Sequence, residues 1–328
     1  AFVAVDPTGN GNDVIRSAAD IAPNVGNTLV ATGTSANTTT GFEINTGLIA
    51  TAFDDTINIG GRVMDATAVL NGSGHVVADT LIMTAGANIA AAAVTNVETA
   101  NITGAVTMTA AQHNAFTTFD AAGAADAITL TTAGNIAGAA AIETYTIVEN
   151  AANSFTFGAL AQNLIGDATV ANTSMVFGNG AYTGAVTLFE AGDVVRLVTS
   201  SNIAGVNAGA TLGADQLLIT GATTANTMTT TQWNVFNAVV ANVTAAGAAN
   251  TLTLNSAAAA SVAANAAIEN YVLAGATGNQ RLTFDESTDA TLTDAVRNTM
   301  TVTCGAGTDQ IVLDNAVVDL TSAAATIT

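Results

Sequence analysis

A short pattern recurs along the chain: an aspartate, one variable residue, and then alternating aliphatic residues and threonines. The pattern begins at Asp55, Asp79, Asp126, Asp193, Asp215 and Asp309, with a variant at Asn250. Each copy is rich in β-branched residues and is bounded by Gly, Ala or Asn, which is typical of a β-strand. Most spacings fit multiples of about 22 to 24 residues, the length of one turn of a parallel β-solenoid. The chain is therefore predicted to be all-β, an elongated parallel β-solenoid (β-helix) that is continuous over residues 1–328.

A longer segment occurs twice in the same chain. Met108–Phe116 reads MTAAQHNAF, and Met228–Phe236 reads MTTTQWNVF, 120 residues later. Matching segments follow in the same order, AAGAADAITL, AIETYTI and NSFTF after the first copy and AAGAANTLTL, AIENYVL and QRLTF after the second. We infer that residues 80–160 and 200–285 are two copies of one structural module.

Each module also carries the signal of a short helix. Thr109 with Gln112, and Thr229 with Gln232, have the spacing of a capping box. We expect short helical excursions near 109–116 and 229–236, anchored to the core by the phenylalanine that ends each copy.

Three glutamates lie in strand-like segments of the modules: Glu98, Glu143 and Glu269. Their side chains can either point outward into solvent or satisfy a backbone amide of a turn. We expect the outward, solvated position for these three carboxylates.

The charge balance excludes several functions. The chain has 25 acidic residues and 5 basic ones, all arginine, for a formal charge of −20. Without lysine there is no Schiff-base catalysis, phosphate-loop lysine or lysine isopeptide bond, and a strongly anionic surface repels nucleic acid and anionic membranes. No apolar run is long enough for a transmembrane helix, so we expect no membrane insertion. Only 9% of residues are charged, which favours a surface partly covered by copies of the same chain.

Two segments share the form G-x-G-x-D-x-aliphatic: GNGNDVI at Gly9–Ile15 and GAGTDQI at Gly305–Ile311. They resemble the calcium-binding nonapeptide of RTX proteins, in which glycines allow a tight turn and Asp and carbonyl oxygens bind Ca²⁺. The composition of the whole chain, rich in Ala, Thr, Gly and Asn, and its NVET-like strand segments are similar to those of RTX-type bacterial surface-layer and β-strand-repeat proteins. The resemblance implies export, calcium-assisted folding and self-assembly at a cell surface.

On this resemblance the candidate calcium ligands are Asp13 and Asp309, and the adjacent pair Asp54 and Asp55 is a comparable candidate. Each G-x-G-x-D copy stands alone, whereas an RTX calcium roll holds each ion between adjacent copies. The alternative is that Asp13 and Asp309 only cap turns through local backbone hydrogen bonds.

Nothing in the sequence indicates an enzyme, and no catalytic residue is assigned. His75 and His113 lie in different segments, and His113 aligns with Trp233 of the second module, which indicates a packing or surface position and not a ligand. Metalloprotease, nucleophile-elbow and phosphate-loop motifs do not occur in the sequence.

We therefore expect a secreted structural protein that assembles with itself into a surface layer, sheath or extracellular filament. A cell-surface polysaccharide is a candidate second partner. The alternative is an extracellular adhesin that binds ice or carbohydrate through stacked threonines, as in the Thr-x-Thr pairs at Thr129 and Thr251. The Thr-x-Thr pattern is not expected to be kept from turn to turn, and threonine is in any case a common solvent-facing residue of strands.

Overall fold

The structure is a computed structural model. The residues it describes are 2–5, 28–31, 43–44, 54–64, 66, 68–72, 77–150, 153–167, 173–187, 192–198, 200–208, 216–220, 225–247, 249–256, 259–274, 280–285, 289–297, 299–305, 309–313 and 326–327. The chain divides into two compact units, Ala1–Val148 and Glu149–Thr328.

In the described residues, the first unit contains short strands and the helix α1 (Ala110–Ala115). Its strands are β1 (Phe2–Val5), β2 (Thr28–Ala31), β3 (Glu43–Ile44), β4 (Thr56–Gly60), β5 (Val69–Asn71), β6 (Thr80–Thr84), β7 (Ala93–Thr95), β8 (Thr99–Thr103), β9 (Ala105–Met108), β10 (Thr118–Ala121), β11 (Ala127–Leu130), β12 (Ile136–Ala137) and β13 (Thr144–Thr146). A six-stranded sheet runs in the order β1-β2-β4-β6-β8-β10, and the rows β3-β5-β7 and β9-β11-β13 form further sheet layers. The pairings described within these rows are parallel.

The second unit contains α2 (Thr230–Phe236), a 3₁₀ turn (Val240–Asn242) and α3 (Asp294–Arg297). Its strands are β14 (Ser154–Thr156), β15 (Asn163–Ile165), β16 (Ser174–Phe177), β17 (Gly180–Ala181), β18 (Ala185–Thr187), β19 (Val194–Leu197), β20 (Ser201–Asn202), β21 (Asn207–Ala208), β22 (Gln216–Ile219), β23 (Ala225–Thr229), β24 (Val243–Ala245), β25 (Thr251–Asn255), β26 (Ala260–Ala263), β27 (Asn270–Leu273), β28 (Gln280–Phe284), β29 (Thr301–Cys304), β30 (Gln310–Leu313) and β31 (Thr326–Ile327). They stack in the rows β14-β16-β19-β22-β24, β15-β18-β21, β17-β20-β23-β25-β27-β29-β31 and β26-β28-β30.

The alternation of buried and less buried residues along each strand explains why these segments stack. In β6 and β25 buried residues alternate with half-buried or exposed ones, so one side of each strand faces the core. Ile57, Leu81 and Ala100 stand in register on three consecutive strands of the first unit, and all three are fully buried. Small apolar side chains fill a narrow core of this kind well. The predicted parallel β-solenoid with short helical excursions is confirmed in each unit.

The length of a turn varies more than the sequence spacing suggested. Thr56 pairs with Thr80, 24 residues later, but Thr80 pairs with Thr99 after only 19 residues, and Asn270 pairs with Thr301 after 31. Variable connections between strands absorb these differences.

The aspartates of the repeated pattern do not lie in one stacked column. Asp55 and Asp79 precede neighbouring strands of one sheet, whereas Asp126 precedes β11, which belongs to a different sheet. The reason is that each turn contributes strands to more than one sheet, and any strand entrance can carry an aspartate. Asp215 lies outside the described residues.

Helices α1 and α2 begin as the sequence predicted, each with a complete capping box. Phe116 and Phe236 are buried and anchor the helices to the core. The same order of elements surrounds both helices: β9, α1, β10, β11, β12 and β13 in the first unit, and β23, α2, β24, β25, β26 and β27 in the second. Within the described ranges, no helix has both the length and the apolar character needed to cross a bilayer.

Candidate functional site

The carboxylates predicted as calcium ligands accept backbone hydrogen bonds. Asp54 Oδ1 accepts from the amides of Val77 (2.7 Å) and Ala78 (3.1 Å). The two oxygens of Asp309 accept from Gln280 N and Gly305 N, both at 3.0 Å. The bond from Gly305 is local, as the turn-capping alternative expects, whereas Gln280 lies 29 residues earlier, on β28.

The other two predicted ligands are Asp55 and Asp13. Asp55 is buried at the entrance of β4, and Asp13 lies outside the described residues. In the described part of the chain, no three acidic, histidine or cysteine side chains gather into a group that could hold a metal ion. Ca²⁺ takes six to eight oxygen ligands, which can include backbone carbonyls, so a calcium site at Asp54, Asp55 or Asp309 stays a prediction.

The three glutamates of the modules have one shared role, and it is the turn-amide role and not the solvated one. Oε2 of Glu98 accepts from Asp79 N (2.9 Å), that of Glu143 from Asp126 N (2.7 Å), and that of Glu269 from Asn250 N (2.9 Å). Each glutamate is half-buried. The expectation that they point outward was wrong, because the backbone amide at the preceding strand entrance needs an acceptor.

Buried aspartates continue this arrangement. Oδ1 of Asp79 accepts from Asp55 N (2.6 Å), and Oδ1 of Asp193 accepts from Thr173 N (2.9 Å). In both cases a carboxylate of one turn binds an amide about one turn earlier in the chain. Much of the negative charge at strand entrances is thereby used inside the solenoid to satisfy backbone amides that the sheets leave unpaired.

Threonines form an uninterrupted row on the outer face of the first unit. Thr56, Thr80, Thr99 and Thr118 occupy the same register position on β4, β6, β8 and β10. Neighbouring strands lie about 4.8 Å apart, so the hydroxyl and methyl groups repeat at that interval. The Thr-x-Thr pattern itself is not kept on this face, because the positions two residues further along the same strands are Asn58, Ile82, Asn101 and Asp120. What repeats is a single column of threonines, which the unequal turn lengths hide in the linear sequence.

The second unit has two adjacent outer rows on the sheet that contains β23, β25, β27 and β29. The aligned positions are Ala225, Thr251, Asn270 and Thr301 in one row and Thr227, Thr253, Val272 and Thr303 in the other. These eight positions carry no ionisable side chain. The rows form an uncharged face on a chain whose formal charge is −20.

A glutamine fixes each helix to a turn below it, a role that sequence reasoning missed. Besides completing its capping box, Gln112 donates from Nε2 to the carbonyls of Ile89 (2.7 Å) and Ala92 (2.8 Å). Gln232 does the same with Ile203 (2.9 Å) and Val206 (3.2 Å). A sequence feature that could have indicated this role is the tripeptide Asn-Ile-Ala, which begins at positions 88, 135 and 202. The isoleucines of the copies at 88 and 202 supply carbonyls to the two glutamines.

His113 packs inside the first unit, as the alignment with Trp233 predicted. Its exposed fraction is 3%, its ring stacks on Phe119 with centroids 4.6 Å apart, and its Nε2 lies 3.0 Å from the Tyr145 hydroxyl. The Asn114 amide donates to Asn135 O (2.9 Å), which turns its Oδ1 toward His113 Nδ1 (3.2 Å). A neutral ring with its proton on Nδ1 satisfies both contacts. Burial lowers the pKa of His113, and the hydrogen bond to Asn114 partly opposes this.

Comparison of the chain with protein-family models, with curated proteins and with solved structures gives no match.

Proposed function

We propose that this protein is a structural subunit that assembles with copies of itself into a bacterial surface layer, sheath or extracellular filament. The observation that supports the proposal is the uncharged outer face of the second unit, in which two rows of Thr, Asn, Val and Ala run across consecutive strands. A face without charge can be buried against another copy without leaving an unpaired ion in the interface.

The internal use of carboxylates adds to this argument. Carboxylates such as those of Asp79 and Glu98 accept hydrogen bonds from backbone amides within the solenoid. Copies of a chain with formal charge −20 repel each other at long range. Close contact is then most favourable between faces such as these rows, where charge is absent.

The experiment is to measure assembly by sedimentation velocity and negative-stain imaging, with and without Ca²⁺, and then to place charges in a row. We expect regular polymers of the unmodified protein, and we expect Thr253→Lys with Thr303→Lys to leave monomers. Ala124→Lys, at an exposed turn of the first unit, is the matched control and should still assemble. Monomers of the unmodified protein under all conditions would overturn the proposal.

Calcium stabilisation rests on the RTX resemblance and remains a prediction. We expect the assembly to melt at a higher temperature with Ca²⁺ than after exhaustive chelation, because cations neutralise carboxylates that otherwise repel. An unchanged melting temperature after chelation would refute this part of the proposal.

A second candidate function is that of an extracellular adhesin for ice or carbohydrate, and the register of the threonines favours it. The row from Thr56 to Thr118 presents one hydroxyl and one methyl group per strand at regular spacing. Thermal hysteresis or a glycan-array signal that is lost in Thr80→Lys with Thr99→Lys would support this function. If the unmodified protein gives neither signal, the adhesin function is excluded in favour of the structural role.

A further inference from the structure

A pocket of about 570 Å³ opens beside the end of α1 in the first unit. Its walls come from the end of α1, from the start of β10, and from alanines of β12 and of the residues that follow it. From the end of α1 to the start of β10 the lining residues are His113, Asn114, Phe116, Thr117, Thr118 and Phe119, and the remaining lining residues are the alanines at 137 and 139–141. A volume of this size is typical of small-molecule sites.

The second unit contains the equivalent place, and there the chain fills it. Trp233 stands where His113 stands, is fully buried, and donates from Nε1 to Ala263 O (2.9 Å). Asn265 stands where Ala139 stands, and its amide donates to Asn237 Oδ1 (2.8 Å) and Val240 O (3.1 Å).

The connection between helix and strand also differs. From Phe116 to Ala121 is five residues, whereas the corresponding stretch from Phe236 to Ala245 is nine, and Asn237 and the 3₁₀ turn belong to the added part. Three differences therefore act together in the first unit: a smaller ring, an alanine for an asparagine, and a shorter connection. Each of them makes room at the same place.

The chemistry of the walls limits what can bind. His113 is the one ionisable side chain among the lining residues, and burial lowers its pKa, so the pocket is uncharged at neutral pH. The aromatic side chains of Phe116 and Phe119 and the alanine methyl groups form the apolar part of the lining. Hydroxyl and amide groups of Thr117, Thr118 and Asn114 stand at exposed positions around them.

We propose that this pocket binds a neutral sugar residue. A pyranose ring offers a flat C–H face that packs on aromatic rings, and its hydroxyl groups can exchange hydrogen bonds with threonine and asparagine side chains. The absence of charge among the pocket's other lining side chains disfavours phosphate and carboxylate ligands. The inference does not require that the protein polymerises.

The test is saturation-transfer NMR on the whole chain with methyl glucoside, methyl galactoside and methyl mannoside as separate probes. We expect at least one glycoside to bind with millimolar affinity and to shift the ring signals of His113. Ala139→Asn and His113→Trp place in the pocket the residues that the second unit carries, so both variants should fold and should bind about tenfold more weakly or worse.

Two controls separate this site from other surfaces. Asn265→Ala alters only the filled counterpart and should leave sugar binding unchanged, and Thr80→Lys, on the outer threonine row, should do the same. Loss of binding in Thr80→Lys would assign the sugar to the row and overturn the pocket. Binding that persists in both filled variants, no transfer to any of the three glycosides, or binding of indole without binding of a glycoside would each overturn the proposal. Circular dichroism verifies that the variants are folded.

Discussion

The two helical regions, around α1 in the first unit and α2 in the second, keep the same framework and differ in what packs against it. In both, a threonine and a glutamine form the capping box, and the glutamine amide binds two carbonyls of a turn below. In both, a backbone amide also donates a hydrogen bond to a tyrosine hydroxyl: Ala139 N to Tyr145 (2.9 Å) and Asn265 N to Tyr271 (2.7 Å). The backbone hydrogen bonds of the two regions are therefore nearly interchangeable.

The ring between helix and tyrosine is the part that differs. Trp233 meets Tyr271 edge to face with centroids 6.0 Å apart, and His113 meets Tyr145 in the same way at 5.5 Å. The indole is fully buried and closes the space around it, whereas the imidazole leaves an open pocket. The comparison teaches that one framework accepts either a closed or an open site, according to a few side chains and the length of one connection.

The largest effect is expected from removing the indole. Trp233→Ala leaves a cavity in a fully packed region and should lower the free energy of unfolding by about 3–5 kcal/mol. His113→Ala, the matched change in the first unit, should cost only about 1–3 kcal/mol, because the smaller ring already borders a pocket. Denaturant unfolding of both variants measures the difference, and equal losses would contradict the distinction between closed and open regions.

The tyrosines should be of intermediate importance. Tyr271→Phe removes the acceptor for Asn265 N in a fully buried position and should cost about 1–3 kcal/mol. Tyr145→Phe should lower the free energy of unfolding by a similar amount, because Ala139 N loses its acceptor. It should also alter the titration of His113, because Nε2 of that ring loses its partner.

Chemical denaturation together with NMR titration of the His113 ring tests the two tyrosine variants. A Tyr145→Phe protein whose histidine titrates as in the unmodified protein would show that the Tyr145–His113 contact is unimportant in solution.

The two glutamines should be equivalent, which is the strictest test of the shared framework. Gln112→Ala and Gln232→Ala each remove one half of a capping box and the bonds to two carbonyls, so each should destabilise the chain by about 1–2 kcal/mol. Thermal or urea unfolding should give losses within about 0.5 kcal/mol of each other. A clearly larger loss at one helix would mean that the surroundings, and not the framework, set the cost.

The smallest expected effect is a dependence on pH in the first region alone. The pKa of His113 is lowered by burial in the folded protein, so between that pKa and the ordinary value near 6.5 the unfolded chain binds more protons than the folded one. The contribution of His113 to the free energy of unfolding is thus fully present above about pH 6.5. It decreases as the pH falls below that value, by no more than about 1.4 kcal/mol per pH unit.

His113→Gln should flatten the stability profile between pH 7.5 and 5.5 relative to the unmodified protein. Trp233→Phe, which removes no titrating group, is the control and should keep the slope. An unchanged slope in His113→Gln would show that the imidazole is protonated equally in both states.

The sequence by itself determined the kind of fold. Alternation of β-branched and small residues at strand segments such as DTLIMT and NTLTLN can be buried on one side only, and repetition of such segments at turn-like spacing leads to a stack of parallel strands. It also determined helices α1 and α2, because the capping box is a local interaction between Thr109 and Gln112, or Thr229 and Gln232, three residues apart.

Only the tertiary structure decided which residues share a surface. The threonines from Thr56 to Thr118 are separated by 24, 19 and 19 residues, so their common row cannot be read from any constant period. The role of Glu98, the partner turn of Gln112 and the pocket beside His113 likewise depend on contacts about 20 or more residues away along the chain. Local sequence encodes strands and helix ends, while the register that brings distant residues together follows from how variable connections let the strands stack.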